Sequence, residues 1–308
     1  MFDRFRKKSA ALQLYGKLPI AKDYLRVGAS TGPALALREW LDHSYSSQAS
    51  TSGRGSLGWP MRFLLGAVQG DPLMGTLWPS TDLGGNRPFP FAAFIEQRRR
   101  SLAQAEEESF LRLPIQFQAL EASYKDHASF GDGQEFLTAM RSVEVSLQAP
   151  LSPAPTRVEW NTWVRTIWPT IGQDGLVNTL LDLRALSQDR QPIRLPMVQG
   201  VEEISQLHAW WSALIAIGLI GGEEVPTCFW PAPGYSGDQP RFCTFMFTPL
   251  GNESAAWLAP ADTHLSLGPG DFALNRPCAL GQSGPTPENV PSLADSIRGP
   301  LATVRSRI

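Results

Sequence analysis

The sequence predicts an α/β layered fold, and three observations carry that prediction. Candidate helices and strands alternate through both halves of the 308-residue chain, the order that lays helices over a sheet. The runs over residues 61–68 and 73–78 are apolar at successive positions, as strands covered on both faces require. Hydrophobic residues make up 43% of the chain, enough to core one large or two ordinary domains.

Residues 11–18 read as a first strand leading into a turn at Pro19. Ser30 and Thr31 ahead of Pro33 form a helix start, a capping hydroxyl followed by a proline whose missing N–H costs nothing in the first turn. Leu35, Leu37, Trp40, Leu41 and Tyr45 give this helix its apolar side. A Ser/Gly/Thr-rich loop follows over 46–58. Gly70-Asp71-Pro72 separates the two apolar runs, the pattern of two buried strands or a hairpin, and residues 88–94 make a third run. A helix is expected over 101–125, with Pro114 breaking or kinking it into two pieces.

Residues 136–145 begin as helix, and 148–155, with three prolines, form the clearest internal boundary. Beyond it, Asp174 is placed to cap a helix through Leu176, Leu180, Leu181 and Leu183, and residues 193–198 read as a strand. An apolar helix over 202–219 is expected to end at Gly221-Gly222, where glycine suits the left-handed position past a helix. Short strands follow at 228–230 and 242–247, then a helix capped by Asn252. The resulting plan is a basic tail at 1–10, an α/β domain over 11–267 with two lobes divided near 148–156, and a Pro/Gly/Ser-rich, loosely ordered tail at 268–308.

The formal net charge of −2 gives no field for gathering phosphate backbones, which argues against nucleic-acid binding. The basic cluster Arg4, Arg6, Lys7 and Lys8 reads as a solvated tail, and Arg98-Arg99-Arg100 with Glu106-Glu107-Glu108 as an exposed helix of mixed charge. Cys228, Cys243 and Cys278 lack the paired spacing of a zinc site or a disulfide framework and imply a reducing compartment. The start has no apolar signal core, and the best membrane candidate, 209–220, falls short of the roughly 20 residues that a span requires. A cytoplasmic protein without membrane insertion is expected.

No motif here carries catalytic chemistry by itself. Gly53-Arg54-Gly55-Ser56-Leu57-Gly58 has the spacing of a dinucleotide loop but neither a strand before it nor a helix opening after it, so a flexible loop is the better reading. His43, His127, His208 and His264 are isolated, and no serine elbow is present. Neither cofactor nor metal is expected. Asp82, ahead of Gly84-Gly85-Asn86, reads as an acceptor for backbone N–H groups of a glycine-rich turn, paired with Arg87 so that Phe89 and Phe91 reach the core. Adjacent Trp210 and Trp211 point about 100° apart on one helix and are assigned to the core.

Several short segments share an order: Tyr15-Gly16-Lys17-Leu18-Pro19, Asp23-Tyr24, Trp40 in a helix, Trp59 ahead of Met61-Arg62-Phe63-Leu64-Leu65, and Pro79-Ser80-Thr81-Asp82 leading to Gly85, Arg87, Phe89 and Pro90. Over about residues 11–95 this resembles the TagF/ImpM family of type VI secretion accessory proteins. The chain departs from that pattern with Lys22 before the aspartate, Tyr24 in place of phenylalanine, and Asn86 inserted ahead of Arg87. The resemblance implies a three-layer α/β/α sandwich around a mixed sheet. It also implies a non-enzymatic role restraining type VI assembly after translation, through a forkhead-associated scaffold protein or the inner-membrane complex. A hydrolase with a non-sequential site and a structural subunit of the apparatus are the alternatives. The expected partner surface comprises Tyr15, Lys17, Asp23, Tyr24, Asp82 and Arg87, although Tyr15 and Tyr24 could equally cap the core.

Overall fold

The computed structural model describes residues 9–46, 57–66, 70–104, 107–148, 192–197, 203–216, 218–221, 225–234, 241–248 and 250. The expected loop chemistry at 53–56, the helices placed after Asp174 and Asn252, the boundary near 148–156 beyond Gln148, Cys278 and the 268–308 tail lie outside these residues.

The chain opens with β1 (Ser9–Ala11) and β2 (Gln13–Gly16), so the first strand begins two residues inside the expected tail and is divided at Leu12. There follow β3 (Leu25–Val27), α1 (Gly32–Ser46), β4 (Met61–Leu65), β5 (Leu73–Trp78) and β6 (Phe91–Glu96). Next come α2 (Arg99–Ala103), α3 (Glu107–Lys125), a 3₁₀ turn (Asp126–Ser129), α4 (Gly133–Met140) and β7 (Glu144–Ser146). The last described elements are β8 (Ile193–Met197), α5 (Glu203–Ala216), β9 (Thr227–Pro231) and β10 (Arg241–Met246).

Eight strands form one sheet in the order β3-β2-β6-β5-β4-β9-β10-β8, while β1 and β7 pair as a separate ribbon. Every pairing among the described strands is antiparallel, which corrects the expectation of a mixed sheet. Four neighbouring pairs, β2/β3, β4/β5, β5/β6 and β9/β10, are consecutive strands, and antiparallel partners need no crossover helix between them.

The α/β character follows from two apolar clusters, one on each face of this sheet. Successive strand side chains point to opposite faces. Phe91, Ala93 and Ile95 of β6 therefore pack with Phe110, Phe117 and Leu120 of α3, Phe136 of α4, and Leu207 and Trp211 of α5. Ala92 and Phe94 instead join Phe63 and Phe229 beneath Leu37, Trp40, Leu41 and Tyr45 of α1. Leu35, expected on the apolar side of α1, is exposed. The continuous burial of β4 and β5 is the consequence of covering both faces, as their largely apolar runs predict.

Two helices depart from expectation. The helical backbone of α3 continues through Pro114, because proline deletes a single N–H while Phe110, Leu113 and Phe117 anchor the turns on either side in the core. Helix α5 stops earlier than predicted. Gly218, in the left-handed region at φ 78°, donates its N–H to the Ile215 carbonyl at 2.9 Å, and Leu219 donates to the Leu214 carbonyl at 2.9 Å. Gly218 thus takes the role assigned to Gly221-Gly222, since the αL position must follow the last helical turn directly.

Candidate functional site

At one end of the sheet Gly16 of β2 stands opposite Phe91 of β6, which in turn pairs with Trp78 of β5. The segments that leave these strands, 17–24 and 79–90, therefore meet. Gly16 makes the meeting possible. Its φ of 136° lies where side chains are strained, and a β-carbon there would stand 2.8 Å from Phe91 Cα and closer still to the Pro90 carbonyl oxygen. Leu83 N–H donates to the Ala21 carbonyl at 2.9 Å, and the Arg87 guanidinium donates to the Lys22 carbonyl, so the two segments are stitched backbone to backbone and side chain to backbone.

Asp82 organises the second segment. Its backbone carbonyl accepts from Gly85 N–H at 2.9 Å across a turn in which Gly85 has φ 69°. Its Oδ1 accepts from Asn86 N–H at 3.2 Å, and its Oδ2 pairs with Arg87 Nε. The hydrogen bond from Arg87, followed by its charge and by backbone N–H groups, holds the Asp82 carboxyl below the usual range against the opposing effect of burial. The same bond raises the Arg87 guanidinium. Phe89 N–H returns to the Ser80 carbonyl at 3.0 Å, which delivers Phe89 and Phe91 into the core as the sequence predicts.

Four aromatic or cationic groups close the site. Tyr15 and Tyr24 stack with centroids 5.7 Å apart, and Phe89 sets its edge against both rings. The Lys17 ammonium lies 4.8 Å from the Tyr24 centroid and 5.8 Å from that of Phe89. On the far side, Arg38 of α1 lies over the Tyr15 ring, whose hydroxyl donates to Asp42 Oδ1 at 2.5 Å. Burial first, and then the bond to Asp42, pushes the Tyr15 phenol well above its ordinary range. Burial, and after it the charge of Arg87, lowers the Lys17 ammonium from its ordinary value, with Asp82 and Asp23 opposing.

All six residues singled out from the sequence thus converge, but they divide into two kinds. Tyr15, Lys17 and Asp82 are buried and support the site from beneath. Asp23, Tyr24 and Arg87 form its surface, with Tyr24 39% exposed. Asp23 lies 3.8 Å from Arg87 across this surface. Leu83, 55% exposed on the turn itself, belongs with them and was not among the predicted residues. Its signal was an aliphatic side chain inside an otherwise polar turn motif. The arrangement offers an apolar and charged surface on a hydrogen-bonded frame, suited to recognition.

A second polar constellation escaped sequence reasoning. Arg62, mid-strand in β4, points towards α3 and α5, where it meets Glu121 at 2.6 Å and pairs also with Glu203 while its guanidinium covers the Phe117 ring at 4.7 Å. All three are largely buried. The visible signal was one arginine within an apolar strand run, but its partners are 59 and 141 positions away. Cys228 and Cys243, on neighbouring strands β9 and β10, are both buried free thiols, and burial pushes the Cys243 thiol upwards. Trp210 and Trp211 are buried, and the His208 ring packs on Phe110 at 4.8 Å. Among the described residues no group of three or more His, Cys, Asp or Glu side chains is placed to hold a metal ion, and no helix is long and apolar enough to cross a membrane.

Comparison with known proteins adds the family. No curated protein matches the chain. Among solved structures, the crystal structure of PA0076 from Pseudomonas aeruginosa PAO1 is similar at 14% identity and a TM-score of 0.42, covering 91% of this chain and 100% of that one. The family model described as the TagF N-terminal domain, type VI secretion system-associated, matches residues 13–140, the stretch that contains both convergent segments. The match over residues 13–140 supports assigning this part of the chain to the TagF family, type VI secretion system-associated.

Proposed function

We propose that this chain is a non-enzymatic accessory regulator of a type VI secretion system, a post-translational repressor of its assembly that acts by binding a protein partner in the cytoplasm. The observation that carries the reading is the convergence of segments 17–24 and 79–90 on one braced surface within the matched domain, with Tyr24, Leu83, Asp23 and Arg87 outermost. Aromatic and arginine side chains on loops held by a rigid sheet are what dominates protein interfaces. The partner is a component of that system, for which a forkhead-associated scaffold protein and the inner-membrane complex are the candidates. The fold reading that goes with it is a three-layer α/β/α sandwich, with α1 over one face and α3 and α5 over the other.

The test is affinity capture from the native host, with the full chain as bait and type VI components quantified by mass spectrometry. Leu83→Asp should reduce their capture about tenfold, as loss of an interface hot spot does, with an unchanged circular dichroism spectrum. Deletion of the protein should raise secretion. Undiminished capture by folded Leu83→Asp, or secretion indifferent to the deletion, would count against the reading.

A further inference from the structure

We infer that Lys17 is a receptor for a carboxylate, and that the partner segment docking here carries an aspartate or glutamate next to a bulky apolar residue. The inference rests on the binding reading above and names the chemistry of its partner. Lys17 follows Gly16 directly, and its chain is drawn under Tyr24 so that only 5% of the residue is exposed. The ammonium then has two aromatic faces, Tyr24 and Phe89, and among the described residues no oxygen accepts a hydrogen bond from it. An ammonium carries three donors, and cation–π contact satisfies none of them directionally.

The nearest carboxylates do not fill this role because both are committed to Arg87. Asp82 binds Arg87 Nε and Asn86 N–H, and Asp23 faces the other end of the same guanidinium. Lys17, Arg87, Asp23 and Asp82 together sum to zero charge, as do Arg38 and Asp42 behind Tyr15. A single incoming negative charge can be accommodated beside Lys17. A doubly charged phosphate would meet Asp23 and Asp82 at close quarters, and like charges at such distances repel strongly where solvent is thin.

The apolar half of the motif follows from what flanks the ammonium. Tyr24 and Leu83 are two of three large hydrophobic residues exposed among those described, and the bond from Leu83 N–H to the Ala21 carbonyl ties their loops together. A side chain adjacent to the docked carboxylate would lie against them. Desolvation makes this pairing matter. A partner carboxylate entering at Lys17 makes charge-assisted hydrogen bonds to a partly desolvated ammonium, whereas a fully exposed lysine would gain little from such a pair.

The probe is a phage-displayed library of random dodecapeptides, panned against the full chain and then synthesised for titration by fluorescence anisotropy. Peptides selected by the wild-type chain should be enriched in Asp or Glu beside Leu, Ile, Phe, Tyr or Trp. Lys17→Met, which keeps the stem under Tyr24 but removes the charge, should weaken them at least about tenfold, and Lys17→Arg should restore part of the affinity. The melting temperature of Lys17→Met should match or exceed that of the wild type, because a partly desolvated charge has been removed. The proposal is overturned if panning yields no binder or binders without an acidic residue, or if Lys17→Met binds equally well. It is also overturned if phosphoserine versions of the peptides bind more tightly than their glutamate counterparts. Peptides that behave as expected, while Lys17→Met still represses secretion in cells, would leave the carboxylate receptor standing and remove the regulatory reading of this surface.

Discussion

Gly16 and Pro90 approach so closely that no side chain fits between them. A β-carbon on Gly16 would collide with the Pro90 carbonyl oxygen and stand 2.8 Å from Phe91 Cα, in a backbone conformation at φ 136° that favours glycine. This contact seats segment 79–90 on the end of β2. Gly16→Ala must displace backbone and adopt a strained φ, so it should destabilise the protein by about 3 kcal/mol or more. Denaturant titration measures this. An unfolding midpoint equal to that of the wild type would mean that the two segments meet without the close approach.

Arg62 joins the matched domain to the second half of the chain through Glu203, and to α3 through Glu121. Removing the cation would leave two largely buried carboxylates facing each other, a loss of about 3–5 kcal/mol for Arg62→Ala. Replacing the pair together, as Arg62→Met with Glu203→Leu, should recover much of that loss, since well-packed apolar groups of similar volume substitute for buried ion pairs. A double variant no more stable than Arg62→Ala in thermal unfolding would argue against the ion pair as the cause.

Asp82 and Lys17 each give a stability that rises with pH, one in the acid window and the other in the alkaline. Asp82 has a lowered folded-state pKa, so its contribution is complete above the ordinary carboxylate value of 3.8 and is lost as pH falls through the lowered one. Asp82→Asn should therefore flatten the acid limb of the melting-temperature profile below about pH 4. Lys17 has a lowered folded-state pKa beneath its ordinary 10.5, so the unfolded chain binds more protons in that window and stability rises with pH there. Lys17→Met should remove this alkaline rise. An acid limb unaltered by Asp82→Asn, or an alkaline limb unaltered by Lys17→Met, would deny the corresponding group its role.

The matched domain ends at residue 140, yet the sheet does not. Strand β9 pairs along β4 from Met61↔Pro231 to Leu64↔Cys228, and α5 covers the same face through Leu207 and Trp211. A fragment of residues 9–148 should expose a flat apolar strand edge and aggregate, where the full chain remains monodisperse in light scattering. A soluble, cooperatively melting fragment would establish the matched domain as self-sufficient.

Much of this molecule is determined locally and is legible without coordinates. Pro33 lies in the first turn of α1, which begins at Gly32 just past Ser30-Thr31, since proline geometry acts within one turn. Largely apolar runs mark β4 and β5 as strands covered on both faces, and the Asp82 turn is encoded by an Asx acceptor followed by glycines. The tertiary structure decided the rest, because the deciding contacts join positions that sequence spacing cannot relate. Strand order placed β9 beside β4, and so brought Arg62 to a glutamate 141 positions away. The chain beyond β2 and the chain before β6 fold onto one sheet end, and their packing buried Lys17, a lysine that composition alone would assign to solvent. Burial is a property of what surrounds a side chain, which is why the residues of the site could be read in sequence while the division between its support and its surface could not.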